Sequence, residues 1–142
     1  MAGPEEVVAD ASVVSKWFLP ERDSPEAIAL RDAHIDGKVR ILSPDLLPFE
    51  VLNVIRHKSG VGRGQLAGAA RDLFDYQLVL VRPTAEMLSG ALERAYESNL
   101  TVYDACYLAL ADAHDCPLVT ADGRLLAAST RAITPSGWPT GG

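Results

Sequence analysis

Val7-Val8-Ala9-Asp10-Ala11-Ser12-Val13-Val14-Ser15-Lys16-Trp17-Phe18-Leu19-Pro20 changes character at its fourth residue. Val7 to Ala9 is an apolar run of the kind that forms a short buried strand. Ser12 to Leu19 then reads as a helix of about two turns, ended near Pro20, whose missing N–H cannot continue it. A strand that passes straight into a helix is the unit of an α/β fold, and the rest of the chain repeats the alternation. Ser24-Pro25 reads as a helix start, with the hydroxyl as cap and proline in the first turn, and the helix runs to about Asp36 with Gly37 closing it. Val39 to Leu42 reads as a second strand, and Leu46 to His57 as a helix in which Pro48 belongs to a first turn or a kink. Helices follow over Gln65 to Tyr76, Thr84 to Ser98 with Asn99 as cap, Val102 to His114, and Asp122 to Ala128. Strands are expected at Leu78 to Val81, Leu118 to Thr120 and Ala132-Ile133. Strands separated by helices predict a three-layer α/β/α sandwich around a mostly parallel sheet. One domain over residues 1–134 and a pliable, Pro- and Gly-rich tail over 135–142 complete the expected organisation.

Four acidic residues are attached to apolar runs. Asp10 ends Val7-Val8-Ala9, and Asp122 follows Leu118-Val119-Thr120-Ala121. Glu50 and Asp104 lie on early helical turns, in Phe49-Glu50-Val51-Leu52-Asn53 and Tyr103-Asp104-Ala105-Cys106-Tyr107. Carboxylates are rare in apolar surroundings unless paired or bound to metal. In a parallel sheet, ligands bind beyond the carboxyl ends of the strands, which gives Asp10 and Asp122 a shared address. Glu50 and Asp104 can point at the same opening, where helix amino ends favour negative charge. Gathered there, the acids repel until protons or cations relieve them. A hard divalent cation such as Mg²⁺ suits an oxygen-only donor set, and a phosphate ester is the substrate class that such a cation bridges to carboxylates.

Composition narrows the setting. The chain has 142 residues, 48% of them hydrophobic, enough for one core. No stretch approaches the roughly 20 apolar residues that cross a bilayer, and the acidic start Met1 to Glu6 is unlike a signal peptide, so a cytoplasmic protein is expected. Cys106 and Cys116 read as reduced, largely buried residues. The net charge of −6 argues against a broad nucleic-acid surface but not against a local one. From Val51 through Arg71 there is no acid, while Arg56, Lys58, Arg63 and Arg71 are basic and His57 adds a titratable ring; the stretch reads as a phosphate-facing or partner-facing surface, with a solvated helix surface as the plainer alternative. Ser59 to Gly64 is rich in glycine, but no strand precedes it and no Lys-Ser or Lys-Thr pair follows, so it reads as a helix–helix connection rather than a phosphate loop. His34, His57 and His114 lack zinc-ligand spacing.

Four segments carry a resemblance: Val8 to Glu21, Pro44 to Val54, Thr101 to Ala111 and Leu118 to Leu125. In this order and spacing they resemble the PIN domain, and more closely its VapC toxin branch. The resemblance implies a compact α/β/α domain that cleaves RNA with Mg²⁺ or Mn²⁺ and leaves a 5′-phosphate and a 3′-hydroxyl. It implies Asp10, Glu50, Asp104 and Asp122 as the acidic quartet, with Ser12, Asn53 and Thr120 as supporting polar positions. It also implies a small DNA-binding antitoxin as partner, and a homodimer. An RNA-processing nuclease without an antitoxin, or an inert regulatory domain that keeps the pocket, are the competing readings. A phosphate-accepting receiver domain would place a lysine on a late strand, where Thr120 and Asp122 stand instead. A haloacid-type phosphatase needs a second Asp two positions after its nucleophile, where this chain has Ser12.

Overall fold

The computed structural model describes residues 5–138. Five parallel strands form one sheet in the order β3-β2-β1-β4-β5: β1 Glu5–Ala9, β2 Val39–Pro44, β3 Val79–Val81, β4 Leu118–Val119 and β5 Ala132–Ile133. The chain builds outward from β1 to one edge, then returns to build the other half on β1's free side. Val8 thus pairs with Leu42 on one flank and with Leu118 on the other. The point where strand order reverses leaves a crevice beyond the carboxyl ends of β1 and β4.

Helices cover the sheet as an α/β/α sandwich: α1 Ala11–Val14, α2 Ser24–Ile35, α3 Leu47–Arg56, α4 Arg63–Asp75, α5 Ala85–Ser98, α6 Val102–His114 and α7 Gly123–Ala128. Of these, α6 is the most buried. Ala105, Tyr107, Leu108, Ala109, Leu110 and Ala111 all lie inside, and the helix packs on β1 and β2 with α5 on its outer side. Val7, Val8, Ile41, Leu42, Leu118 and Val119 supply the sheet's share of the core.

Most expected elements are present, and the differences have local causes. The single helix expected over Ser12 to Leu19 is instead the short α1 followed by a 3-10 turn over Ser15–Trp17. The tighter turn seats Trp17 in the core, where its Nε1 donates to the Ala27 carbonyl at 2.8 Å. The Ser24 hydroxyl does not cap α2. It accepts from the Glu21 amide and donates to the Leu19 carbonyl, each at 2.9 Å, and so ties down the loop that leads into the helix. Gly37 ends α2 with φ +76°, and Asn99 ends α5 with φ 52°, both in the left-handed region that closes helices. Pro48 takes a first-turn position of α3, and the Gly-rich segment after it is a connection between α3 and α4. His34 joins three elements: Nδ1 accepts from the Ile41 amide, and Nε2–H faces the Tyr76 carbonyl at 3.0 Å. Cys116 is buried and Cys106 only half-buried, both as free thiols. At the chain end Pro135–Gly137 forms a 3-10 turn against α2, and Trp138 is buried, so packed structure continues past residue 134. The remainder of the expected tail, 139–142, lies outside the described residues. Among the described residues no helix is long and apolar enough to cross a membrane.

Candidate active site

A cleft of about 360 Å³ opens at the crevice, and Asp10, Glu50, Asp104 and Asp122 all line it. Each reaches it by the same local device. Asp10 is the N-cap of α1 and Asp122 the N-cap of α7, while Glu50 and Asp104 occupy the first turns of α3 and α6. Strand carboxyl ends and helix amino ends coincide in a parallel α/β fold. The four carboxylates therefore share the positive ends of four helices, which partly offsets their mutual repulsion.

Asp10 is the most constrained of the four. It is 5% exposed, and both its oxygens are held. Oδ1 accepts from the Ser12 hydroxyl at 2.6 Å and from the Val13 amide at 3.3 Å, and Oδ2 accepts from the Thr120 hydroxyl at 2.6 Å. The two hydroxyls are themselves fixed: Ser12 Oγ accepts from the Ala121 amide at 2.9 Å, and Thr120 Oγ1 from the Asp122 amide at 3.0 Å. One network thus welds the end of β1 to the end of β4. Burial pushes the Asp10 carboxyl up to about 6, against the lowering effect of these hydrogen bonds and with a further push from Asp122.

Glu50 and Asp104 are half-buried. Burial raises the Glu50 carboxyl first, with Asp104 and Asp10 adding repulsion, while the Tyr107 hydroxyl opposes the rise by donating to Oε1 at 3.1 Å. Asp104 is raised by burial and then by Asp122. Thr101 positions its turn, accepting from the Asp104 amide at 3.1 Å as the N-cap of α6. Asp122 accepts from the Arg124 amide at 2.8 Å, so it caps α7 while standing in the cleft.

Of the supporting positions, Ser12 lines the cleft and Thr120 is fully buried behind Asp10. Asn53 does neither. It is exposed, and Val54, four residues after Glu50, takes the lining position on that helix. The basic patch divides in the same way: Lys58 lines the cleft, whereas Arg56 and Arg63 are exposed and away from its wall. The structure adds Ser15, Lys16, Glu21 and Tyr107, which the sequence reading did not single out. Tyr107 carried a signal, because a residue three positions after Asp104 on a helix shares its side.

Among the described lining residues the polar side chains are oxygen donors and two lysines, with no imidazole or thiol. Among the described residues no three acid, imidazole or thiol groups stand close enough to share one ion as placed. The donor chemistry nonetheless fits a hard cation. Carboxylates raised first by burial and further by one another's charge gain from a divalent ion, and the half-buried Glu50 and Asp104 stand on the same cleft.

The PIN domain profile matches residues 7–130. A VapC ribonuclease from Mycobacterium bovis is 33% identical over 121 residues, spanning 84% of this chain and 87% of that protein. A Pyrobaculum aerophilum protein of known crystal structure superposes with a TM-score of 0.67 at 28% identity, over 94% of this chain and 92% of that one. At 16% identity and a TM-score of 0.66, a toxin–antitoxin complex from Klebsiella pneumoniae shares the fold over 91% of this chain and 97% of its own. A match over nearly the whole domain, joined to four acids converging beyond the ends of a parallel sheet, means that the chain belongs to the PIN domain family, within its VapC ribonuclease branch.

Proposed function

We propose that this protein is an endoribonuclease that hydrolyses RNA phosphodiester bonds with Mg²⁺, or Mn²⁺ in its place, and serves as the toxin of a toxin–antitoxin pair. The observation that carries the reading is the convergence of Asp10, Glu50, Asp104 and Asp122 on one cleft, with three of the four carboxyls raised above their ordinary values.

Asp10 and Asp104 would hold the ion, Glu50 would complete its surroundings, and Asp122 would take a second ion or orient water. Such an ion, when bound, lowers the pKa of coordinated water and offsets charge that develops on phosphoryl oxygens. The chain's own contribution is placement. Ser12 and Thr120 keep both Asp10 oxygens fixed, so this carboxylate does not reorganise as charge shifts during the reaction. Tyr107 holds Glu50 and favours its ionised form. Burial of Asp10 at the cleft floor limits the competing water around it. Among the described residues no histidine lines the cleft, so attack by the RNA 2′-hydroxyl through an imidazole pair has no support there.

A small DNA-binding antitoxin as partner is part of the reading that the VapC relationship supports, and a toxin–antitoxin complex from Klebsiella pneumoniae contains a chain of this fold. A homodimer is part of the same reading. Leu88, Leu92 and Tyr96 recur every four residues along α5 and are all exposed, a stripe of the kind a second copy covers. Light scattering on the purified chain tests the dimer, and co-expression with neighbouring reading frames followed by pull-down tests the antitoxin.

The deciding experiment maps total-RNA cleavage by wild type and Asp10→Asn, with and without Mg²⁺. Discrete cuts are expected from wild type with metal only. Equal cutting by Asp10→Asn, or full cutting in chelator by protein free of other nucleases, would overturn the assignment.

A further inference from the structure

The acid cleft has a second chemical half. Among its described lining residues Lys16 and Lys58 are the cations, and Glu21 stands with them. They come from separate elements. Lys16 lies in the 3-10 turn after α1, Glu21 in the loop before α2, and Lys58 just past the end of α3. Lys58 Nζ is 3.4 Å from a Glu21 carboxylate oxygen, so the ion pair links the α3 side of the cleft to the loop before α2. Glu50 is in the first turn of α3 and Lys58 lies just past its C-cap His57, so about 10 Å of helical rise separates Glu50 from that cap. The cleft wall thus carries two ammonium groups as well as its carboxylates.

Resting on the nuclease reading above, we infer that Lys16 and Lys58 bind a backbone phosphate flanking the one that is cut, and that Glu21 competes with that phosphate for Lys58. An anionic strand entering a cleft lined by four carboxylates and Glu21 meets repulsion. Two ammonium groups on the cleft wall supply the attraction that fixes where the strand lies. The Glu21–Lys58 pair is half-exposed on both sides, with side chains 32% and 49% accessible, so it is weak and readily exchanged. Its geometry is what a phosphate oxygen would reproduce: one anionic oxygen against one ammonium. Lys16 and Lys58 are therefore binding residues, and Glu21 is a positioning residue that acts through Lys58. Arg56 and Arg63, off the cleft wall, have no part in this subsite.

The test measures affinity for a short fluorescein-labelled single-stranded RNA of mixed sequence, in Mg²⁺ buffer at several salt concentrations. All variants are made on the Asp10→Asn background, so that the probe stays intact. Lys16→Ala and Lys58→Ala are each expected to weaken binding several-fold, and the two together to lower the salt slope by about 0.7, the value of one neutralised phosphate on a single strand. Lys38→Ala removes an exposed charge that precedes β2 at the other end of the sheet, and it should do neither. Glu21→Gln should tighten binding about two- to five-fold, and the gain should vanish when Lys58→Ala is present. Lysine variants indistinguishable from Lys38→Ala, or a Glu21→Gln gain that persists without Lys58, would overturn the inference. Cleavage of total RNA by the wild type is scored separately. If wild type cuts while the lysine variants bind normally, only this inference fails. If lysine-dependent binding occurs without any cutting, only the nuclease reading fails.

Discussion

At the residue scale, the buried Asp10 carboxyl sets two expectations. Its folded form titrates at about 6 and its unfolded form near 3.8, so between those values the folded chain keeps a proton that the unfolded chain releases. Raising the pH through this window therefore favours unfolding. Metal-free protein should lose stability from about pH 4 to pH 6, and the full penalty of up to about 3 kcal/mol should be present at neutral pH. Asp10→Asn should remove that slope and raise neutral-pH stability, as read by urea melts in chelator across a pH series. The same substitution should cut cleavage at least ~10²-fold, on the scale of losing a key electrostatic group. A gain in stability joined to a loss of activity is the signature of a strained functional group rather than a structural one. Tyr107→Phe deletes the donor to Glu50 while keeping the buried ring, and should lower kcat about 10-fold with little change in fold. The acids were legible in the sequence because a charge at the end of an apolar run is conspicuous. The roles of Lys16 and Glu21 were not, because a lysine in a turn and a glutamate in a loop carry no periodic signal. They become meaningful only when α3 and the loop before α2 face one opening.

At the element scale, every acid depends on the helix end that carries it. Thr101 caps α6 two residues after the left-handed Asn99 closes α5, so the α5–α6 corner is set by one left-handed backbone residue and one capping hydroxyl. Thr101→Ala should cost about 1 kcal/mol in thermal or urea unfolding. It should also depress cleavage beyond that loss, because the turn it caps holds Asp104. Thr101→Ser should restore both. Element types and rough bounds were readable from apolar runs, proline and glycine, as with α6, whose limits match the expectation at both ends. The failures came where tertiary contacts overrode local pattern. Trp17 reaches the α2 backbone and tightens a helix into a 3-10 turn, and Ser24 spends its hydroxyl on the preceding loop rather than on the helix. Neither partner could be inferred from spacing alone.

At the scale of the whole molecule, metal should act as a ligand of the fold as well as of the reaction. Mg²⁺ or Mn²⁺ should raise the melting temperature of chelator-treated wild type in a concentration-dependent way. Asp10→Asn combined with Asp104→Asn should abolish the shift, which differential scanning fluorimetry can follow. Chelation should stop cleavage, and re-addition of either ion should restore it. A mostly parallel sheet was expected from alternating strands and helices, but the strand order was not, because order is decided by pairings between distant segments. The central place of β1 is such a case: β2 reaches it early, whereas β4 arrives only after most of the chain has been made. The Asp10–Thr120 hydrogen bond closes across 110 residues. At synthesis speeds of about 5–20 residues per second, roughly 5–20 s separate the appearance of the first acid from that of the hydroxyl that fixes it. In a chain being synthesised, the network that holds both Asp10 oxygens therefore cannot close before Thr120 has been added, so every shorter nascent chain lacks its assembled site.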